Sequence, residues 1–544
     1  MLVSGIIKIQ RRAKVSLFIR LKNSLLESLP IGQVIVFFIL TLLTFVLNYY
    51  GLRYGVIFRD LVVNHEMGLV LPNTDVTVDM NYARAVYESK SFFPDGTYFT
   101  TEPRALLPAL VTALFYGCFD SLGLATALSI TVLSTLVLLC VYQLLLIVDT
   151  ERRSALWGTA AFSFLYVDAL WTFNNFGSFY VQLFLGTMMT LIAFFSKRHI
   201  WYILSVPLAF LMGLQSPRAV VLLYVPLLIL SVINKNSKEG RKQTLFLMGL
   251  LIVHCAGYLC LRGILVPHYH LSMDGPQAFR MIPDAKFLAE VARSLLDSVV
   301  PFFGLWWQLN VFYIFLFLCA MGVAVLFITH WQIKEKQKYL LLFCLLSGGG
   351  MIVSSIIIHA SAARYYLSFV WAVIFLLTFG LEQLMLSWGK IVLYGGIGVL
   401  LIGFFLWQGQ KELLHMDWKR TAQEYRAVHL VEQVRANYVY ATYWHNGPLE
   451  CASGYRIRTG NLIGGAKEHP GDVSLAPYLF GTNRKLYEKD TAPQHVVLIL
   501  DSEELSHLNE NGKRIVAQGE FLGTEGNLFL WLFEENPFLI GKDF

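Results

Sequence analysis

Apolar residues come in long blocks along this chain rather than in alternation. The first block begins at Ile31 and runs to about Leu52, and a run of ~20 such residues matches the thickness of a bilayer core. Further blocks near residues 122–148, 155–170, 177–195, 200–215, 218–233, 244–265, 303–329, 339–358, 365–387 and 391–408 have spanning length or close to it. The pattern therefore predicts a polytopic α-helical membrane protein with about eleven transmembrane helices. One further block, 105–119, is bounded or interrupted by Pro103, Pro108 and Asp120 and is short for a crossing.

Charge decides how that short block is read. The first 30 residues carry Lys8, Arg11, Arg12, Lys14, Arg20 and Lys22 against the single acid Glu27. No clear small-residue cleavage site follows, so the first block is a retained helix rather than a signal peptide. Basic residues also cluster at Arg152 and Arg153, Lys197 and Arg198, residues 234–242, Lys334 to Lys338, and Lys390. With a cytoplasmic N-terminus all of these fall on the cytoplasmic side, provided that 105–119 lies at or dips into the outer face. As a twelfth crossing it would put the later lysines and arginines outside.

From residue 409 the character of the chain changes. The remaining residues hold 14 Lys+Arg and 18 Asp+Glu, a net −4, inside a chain of net +6. Residues 438–443, 455–458 and 495–500 read as strands, residues 521–533 as a hairpin about Glu525 and Gly526, and helix-length polar stretches separate them. The division expected is a membrane domain over 1–408 and a small extracytoplasmic α/β domain over 409–544. Composition agrees, with 56% hydrophobic and 15% charged residues against about 45–50% and 25% in soluble domains. The seven cysteines lie mostly within apolar blocks, so neither a disulfide framework nor a zinc spacing is indicated.

Two predicted outer loops, residues 53–104 and 266–301, are much longer than the others, and compact proteins seldom keep such loops without a use. The first contains Asp75 and then Asp79-Met80-Asn81-Tyr82-Ala83-Arg84-Ala85, which reads as the start of an amphipathic helix running to about Ser89 with Asp79 at its N-terminal end. Taken alone, such an Asp is a helix cap. Its company changes the picture, because Thr101-Glu102-Pro103-Arg104-Ala105-Leu106-Leu107-Pro108 leads from the same loop into the 105–119 block.

The order and spacing of these two segments resemble the GT-C superfamily of integral-membrane glycosyltransferases, which includes protein mannosyltransferases and aminoarabinose transferases and uses polyprenyl-phosphate-linked sugars. Two positions depart from that pattern: Met80 stands where a second acid is frequent, and Arg104-Ala105 where Pro-Leu is frequent. The resemblance continues through Asp168 at the end of a predicted crossing, Gln215-Ser216-Pro217-Arg218 between two crossings, and His359 to Tyr366, which includes Arg364 and Tyr365. It implies transfer of a sugar to an acceptor hydroxyl at the extracytoplasmic face with inversion. Asp79 would be the general base and Asp168 a second catalytic carboxylate. Arg104, Arg218, Arg364 and Tyr365 would hold the donor phosphate, with Tyr82, Arg84 and His359 at the substrate. An Arg at the edge of hydrocarbon needs an anion or a water path, and Arg binds phosphate oxygens bidentately.

The partners so implied are a polyprenyl-phosphate sugar, an acceptor that is protein, lipid or glycan, and the bilayer of an inner or plasma membrane. Nucleic acid is not among them, and a divalent metal stays open as a cofactor. His268, His270 and Asp274 could ligate a metal by spacing but read more simply as a polar loop covering substrate. A transporter or flippase is the rival from another class, although internal repeats and Gly-broken helices at the midplane are missing apart from Gly348-Gly349-Gly350. A glycan polymerase or ligase would share the outer-face site.

Overall fold

The computed structural model describes residues 31–54, 56–59, 67–71, 74–99, 106–163, 179–196, 198–233, 238–269, 285–299, 333–358, 363–387, 419–464, 473–479 and 481–540. The helical residues before Thr44 make a compact unit of their own, and the second unit, Thr44–Phe544, holds the rest of the fold. The expected blocks 303–329 and 391–408, and the second half of 155–170, lie outside the described residues.

Helix α1 (Ile31–Tyr54) leads to a small antiparallel pair, β1 (Val56–Arg59) and β2 (Met67–Val70), then to α2 (Thr74–Ser89) and α3 (Leu106–Phe119). The apolar blocks then appear in order as α4 (Leu122–Ile147), α5 (Arg152–Ser163), α6 (Phe179–Ser196), α7 (His199–Gln215), α8 (Val225–Ile233, entered through a π turn at Val220–Tyr224) and α9 (Lys238–Cys260, extended by a π turn at Leu261–Leu265). Helix α10 (Ala285–Val299), α11 (Glu335–Ile358) and α12 (Leu367–Ser387) complete the series. Among the described residues four helices, Gln33–Tyr54, Leu122–Ile147, Gly240–His268 and Glu335–Ile357, are long and apolar enough to cross a membrane. The second long predicted loop, 266–301, is partly helical: Val266–His268 prolong α9, and α10 occupies 285–299. Among the described side chains of α10, Phe287 and Val291, one turn apart, are buried.

Successive helices run antiparallel, and polar side chains mark two distinct ends. At one end Lys334 pairs with the buried Glu382 at 2.7 Å, and Lys336 with Asp149 at 3.2 Å. Glu382 also accepts from the Glu151 amide at 3.3 Å and from Gln337 at 3.1 Å, so the basic segments after α4 and before α11 meet there. Gln243 donates to the Phe194 carbonyl at 2.9 Å, which brings the segments flanking α6 and α9 to the same end. At the opposite end lie α2, the first turn of α3 and the turn after α7.

Helix α3 has 14 residues, about 21 Å at 1.5 Å per residue, against about 30 Å of hydrocarbon. Its first turn lies beside Ser129, which donates to the Pro108 carbonyl at 3.2 Å, well inside α4. Asp120 then reverses the chain at a φ of 48°, and Ser121 caps the start of α4. Both ends of α3 thus stay near one end of α4.

Helices α7 and α9 cross closely because glycines face each other's backbone. A Cβ on Gly213 would fall 2.0 Å from the His254 carbonyl oxygen, and one on Gly257 2.4 Å from that of Phe210. Close backbone approach supplies the dispersion contact that hydrophobicity cannot provide between helices in lipid.

The polar tail from Lys419 to Ile540 forms a five-stranded mixed sheet of order β4-β3-β5-β7-β6: β3 (Tyr438–Thr442), β4 (Arg458–Leu462), β5 (Val496–Asp501), β6 (Glu520–Glu525) and β7 (Leu528–Phe533). β3 runs parallel to both β4 and β5, while the β6–β7 hairpin adds antiparallel strands at one edge. Apolar clusters cover both faces, one built on Val439, Val497 and Leu530 and the other on Tyr440, Leu498 and Trp531. Helices α13 (Gln423–Gln433), α14 (Tyr443–Ala452), α15 (Ser502–Ser506) and α16 (Glu510–Val516) complete it. The expected strand at 455–458 begins only at Arg458, because Gly454 and Tyr455 both adopt φ of 63° and turn the chain where the apolar pattern suggests extension.

The tail is seated on α2 and on the end of α1. Tyr455 Oη donates to the Leu52 carbonyl at 2.7 Å, and the Cys451 thiol to the same oxygen at 2.9 Å. Glu450, 1% exposed, accepts from both Asn81 Nδ2 (2.8 and 2.9 Å) and Thr459 Oγ1 (2.6 Å). Burial raises its pKa above the usual carboxylate value against the opposing pull of Thr459, Arg84 and Asn81.

Stability should respond at both of these contacts. Gly213→Ala forces α7 and α9 apart and costs at least about 1–3 kcal/mol, read as an earlier thermal unfolding of the detergent-solubilised protein, whereas Gly249→Ala, with open space around it, leaves unfolding unchanged. Glu450→Ala strips Asn81 of its acceptor and costs about 1.5–3 kcal/mol, seen as faster proteolytic release of the tail than in Glu432→Ala, which breaks only a surface pair.

Candidate functional site

The site is built around α2. At 3.6 residues per turn, Asp79, Tyr82, Ala83 and Val86 share one face and Asn81, Arg84 and Glu88 the opposite one. The helix begins at Thr74, five residues earlier than the sequence suggests, so Asp79 sits in its second turn rather than at its N-terminal end. The acidic and threonine residues at 74–79 favour early helical turns but look like loop in a hydrophobicity scan.

The face carrying Asp79 lies on the membrane helices. Tyr82, Ala83 and Val86 join Leu106, Ala109 and Ala113 of α3, Leu214 of α7 and Leu261 after α9 in one buried cluster. Tyr82 stacks edge-on against Phe99 at 5.4 Å and donates its hydroxyl to the Phe92 carbonyl at 2.6 Å, and burial holds its pKa well above the usual phenol value. Both carboxylate oxygens of Asp79 are shielded from solvent.

Two glutamines tie the next segments to this face. Buried Gln182 of α6 accepts from the Leu107 amide at 2.8 Å, and its amide group donates to the Leu211 carbonyl at 2.8 Å and to Gln215 Oε1 at 3.2 Å. The entry to α3, which follows Pro103 and Arg104, is thereby fixed beside the turn of Gln215, Ser216, Pro217 and Arg218. In that turn the Arg218 amide donates to Ser216 Oγ at 3.1 Å, and the Arg218 guanidinium lies over the Tyr365 ring at 4.8 Å. Tyr365 belongs to a 3₁₀ turn, Ala363–Tyr366, that also contains Arg364 and leads into α12. Four segments spread over nearly 300 residues of sequence, at 79–86, 106–113, 211–218 and 363–366, thus meet at one end of the helices. The π turns that follow Arg218 and extend α9 lie at this same end, as such turns often do near functional sites.

Of the other residues singled out from the sequence, Arg104, Asp168, His359, His270 and Asp274 lie outside the described residues. Arg84 is buried and faces away from Asp79, donating to the Tyr455 carbonyl at 2.6 Å, so it and Tyr82 are engaged with the protein's own framework. His268 packs edge-on against Tyr269 at 4.8 Å.

Several polar groups escaped the sequence reading because their partners are remote. Glu88 pairs with Arg458 at 2.5 Å. Between α2 and the tail lies a cavity of about 140 Å³, lined on its polar side by Asn81, Arg84, Arg458, Thr459 and Asn483. A second of about 400 Å³, lined by Arg53, Arg420 and Arg456, separates the tail from the ends of α1 and α4.

No family model and no curated protein matches the chain. Among solved structures, the crystal structure of ArnT from Cupriavidus metallidurans bound to undecaprenyl phosphate is similar over 94% of this chain and 99% of that chain, with a TM-score of 0.51 and 12% identity. Likeness at that identity speaks for the fold alone: this chain shares the fold of that structure, and its long apolar helices are those of a multi-pass membrane protein.

Proposed function

We propose that the chain is a membrane glycosyltransferase that moves a sugar from a polyprenyl-phosphate donor to an acceptor hydroxyl at the extracytoplasmic face, inverting the sugar carbon. The observation that carries this reading is the meeting of α2, which bears Asp79, with the start of α3 and the turn that bears Arg218, itself stacked on Tyr365. The similar solved structure, bound to undecaprenyl phosphate, supports the donor class.

In this reading Asp79 takes the proton of the acceptor hydroxyl as the oxygen attacks the sugar carbon. A carboxylate shielded from bulk water acts there without competition from solvent. Bond breaking leaves negative charge on the departing polyprenyl phosphate, which Arg218 offsets, with Arg104 and Arg364 on neighbouring segments. Preoriented cations of this kind, worth more where water is excluded, stabilise charge that develops in the transition state. Tyr365 braces the Arg218 guanidinium by its ring face. Tyr82 and Arg84 hold α2 between the helices and the tail, and the resemblance adds Asp168 as a second catalytic carboxylate and His359 as a substrate-binding residue. The chain crosses the membrane about eleven times, with α3 at the outer face, the N-terminus in the cytoplasm and residues 409–544 outside, in an inner or plasma membrane.

The lipid tail of the donor explains the size of the membrane part. An isoprenoid chain needs an apolar groove between helices while its phosphate stays at the interface, and the site lies at the helix ends.

Purified protein incubated with polyprenyl-phosphate sugars and candidate acceptors should transfer sugar. Asp79→Asn should lower the turnover about 10²–10⁴-fold with thermal unfolding unchanged; full activity in that variant removes Asp79 from the reaction. Arg218→Ala should cost about 10²–10³-fold, and Arg218→Lys should recover only part, since a point charge lacks the bidentate fork. A reporter fused after Phe544 should be active outside the cytoplasm, and cytoplasmic activity would overturn the orientation.

A further inference from the structure

The sheet of the tail has a topological switch point that the proposed transfer does not use. β3 lies between β4 and β5 and is parallel to both. The chain moves from β3 to β4 on one side and later reaches β5 on the other, so the carboxyl ends of β3 and β5 flank a point where the connections diverge. Open parallel sheets bind their ligands at such points. Thr442 ends β3, and His445 follows in the first turn of α14; Asp501 ends β5, and Glu504 follows in α15.

These side chains converge. His445 Nε2 is 3.2 Å from Asp501 Oδ2 and 3.5 Å from Glu504 Oε1, and one donor atom from each of the three lies within 4.8 Å of the others. Donors at about 2.0–2.1 Å from a tetrahedral zinc ion stand roughly 3.3 Å apart, so a small inward adjustment makes the set a metal site. The carboxylates are also held in place. The Glu504 amide donates to Asp501 Oδ1 at 2.7 Å and the Asp501 amide to Glu504 Oε2 at 3.0 Å. This reciprocal cap uses one oxygen of each carboxylate and turns the other toward His445. Thr442 Oγ1 donates to Glu504 Oε1, the kind of outer contact that orients metal ligands.

We propose that His445, Asp501 and Glu504 form a site for a divalent ion of the zinc class at the switch point of the tail's sheet, with a fourth position open to water or an anionic group. One imidazole and two carboxylates suit zinc, with manganese held more weakly by the same set. The ion takes the place of a proton: one proton leaves the imidazolium as its Nε2 lone pair turns to the metal. Burial disfavours the charged imidazole, but Asp501 and Glu504 together outweigh burial and raise its pKa. The charged groups that face the ring are Asp501, Glu504 and, from α13, Glu424.

The test uses the full-length protein in detergent after removal of metals with a chelator. Titration with Zn²⁺ followed by calorimetry should show one equivalent bound per chain with release of protons, and Co²⁺ should give the visible absorption of a four-coordinate ion. His445→Gln and Asp501→Asn should each weaken binding at least tenfold; Asn keeps the helix cap at 501, so that variant folds. Zinc should raise the unfolding temperature of the wild type and leave His445→Gln unmoved. Absence of a stoichiometric site, or binding unchanged in His445→Gln, overturns the proposal and identifies the cluster as an imidazolium bridging two carboxylates. Either result leaves the sugar-transfer reading untouched, because no step of that reaction passes through this cluster.

Discussion

Helix α2 is clamped between an apolar surface and a polar one, and the arrangement of the site depends on that clamp. One face, through Tyr82, Ala83 and Val86, joins the apolar cluster at the ends of the membrane helices. The other, through Asn81, Arg84 and Glu88, is hydrogen-bonded or ion-paired to the tail. A short amphipathic helix has little stability alone, so its position is set by what covers it. Asp79 lies on the membrane-facing side, within reach of the helix ends and screened from water on the side of the tail.

The same division sorts the remaining charges. Ionic groups are costly inside hydrocarbon, so those of the helical part collect at its ends. At one end they satisfy one another, as Lys334, Gln337 and the Glu151 amide do around Glu382. At the other end Arg218 stacks on Tyr365, beside the segments that carry the expected chemistry. Between the two ends the helices are joined by packing, and where Gly213 and Gly257 bring α7 and α9 together the contact is backbone to backbone.

The tail contributes differently from what its polar composition suggests. Glu450 is a buried carboxylate whose hydrogen bonds come from Asn81 of the outer loop and Thr459 of its own sheet, so the tail and α2 share a polar core. Its sheet also brings His445, Asp501 and Glu504 together from parts of the chain more than fifty residues apart.

Hydropathy by itself determined the helices, because burial in lipid requires an apolar surface all round and leaves a signal in every turn: the blocks at 122–148, 177–195, 200–215 and 339–358 appear as α4, α6, α7 and α11 within a few residues. Short apolar runs likewise marked β3, β5 and the β6–β7 hairpin, whose sheet is covered by apolar clusters on both faces. The block 105–119 appears as the 14-residue helix α3. The motifs named Asp79 and Arg218 by type and order. What the sequence did not carry were relations between distant positions. The late start of β4 rests on two left-handed residues. The links Asn81–Glu450, Gln182–Gln215 and Arg218–Tyr365 join residues that no local pattern relates. Only the tertiary structure decided those, since a hydrogen bond or a stacked ring depends on where two stretches of backbone come together, whereas hydrophobicity is a property each residue brings with it.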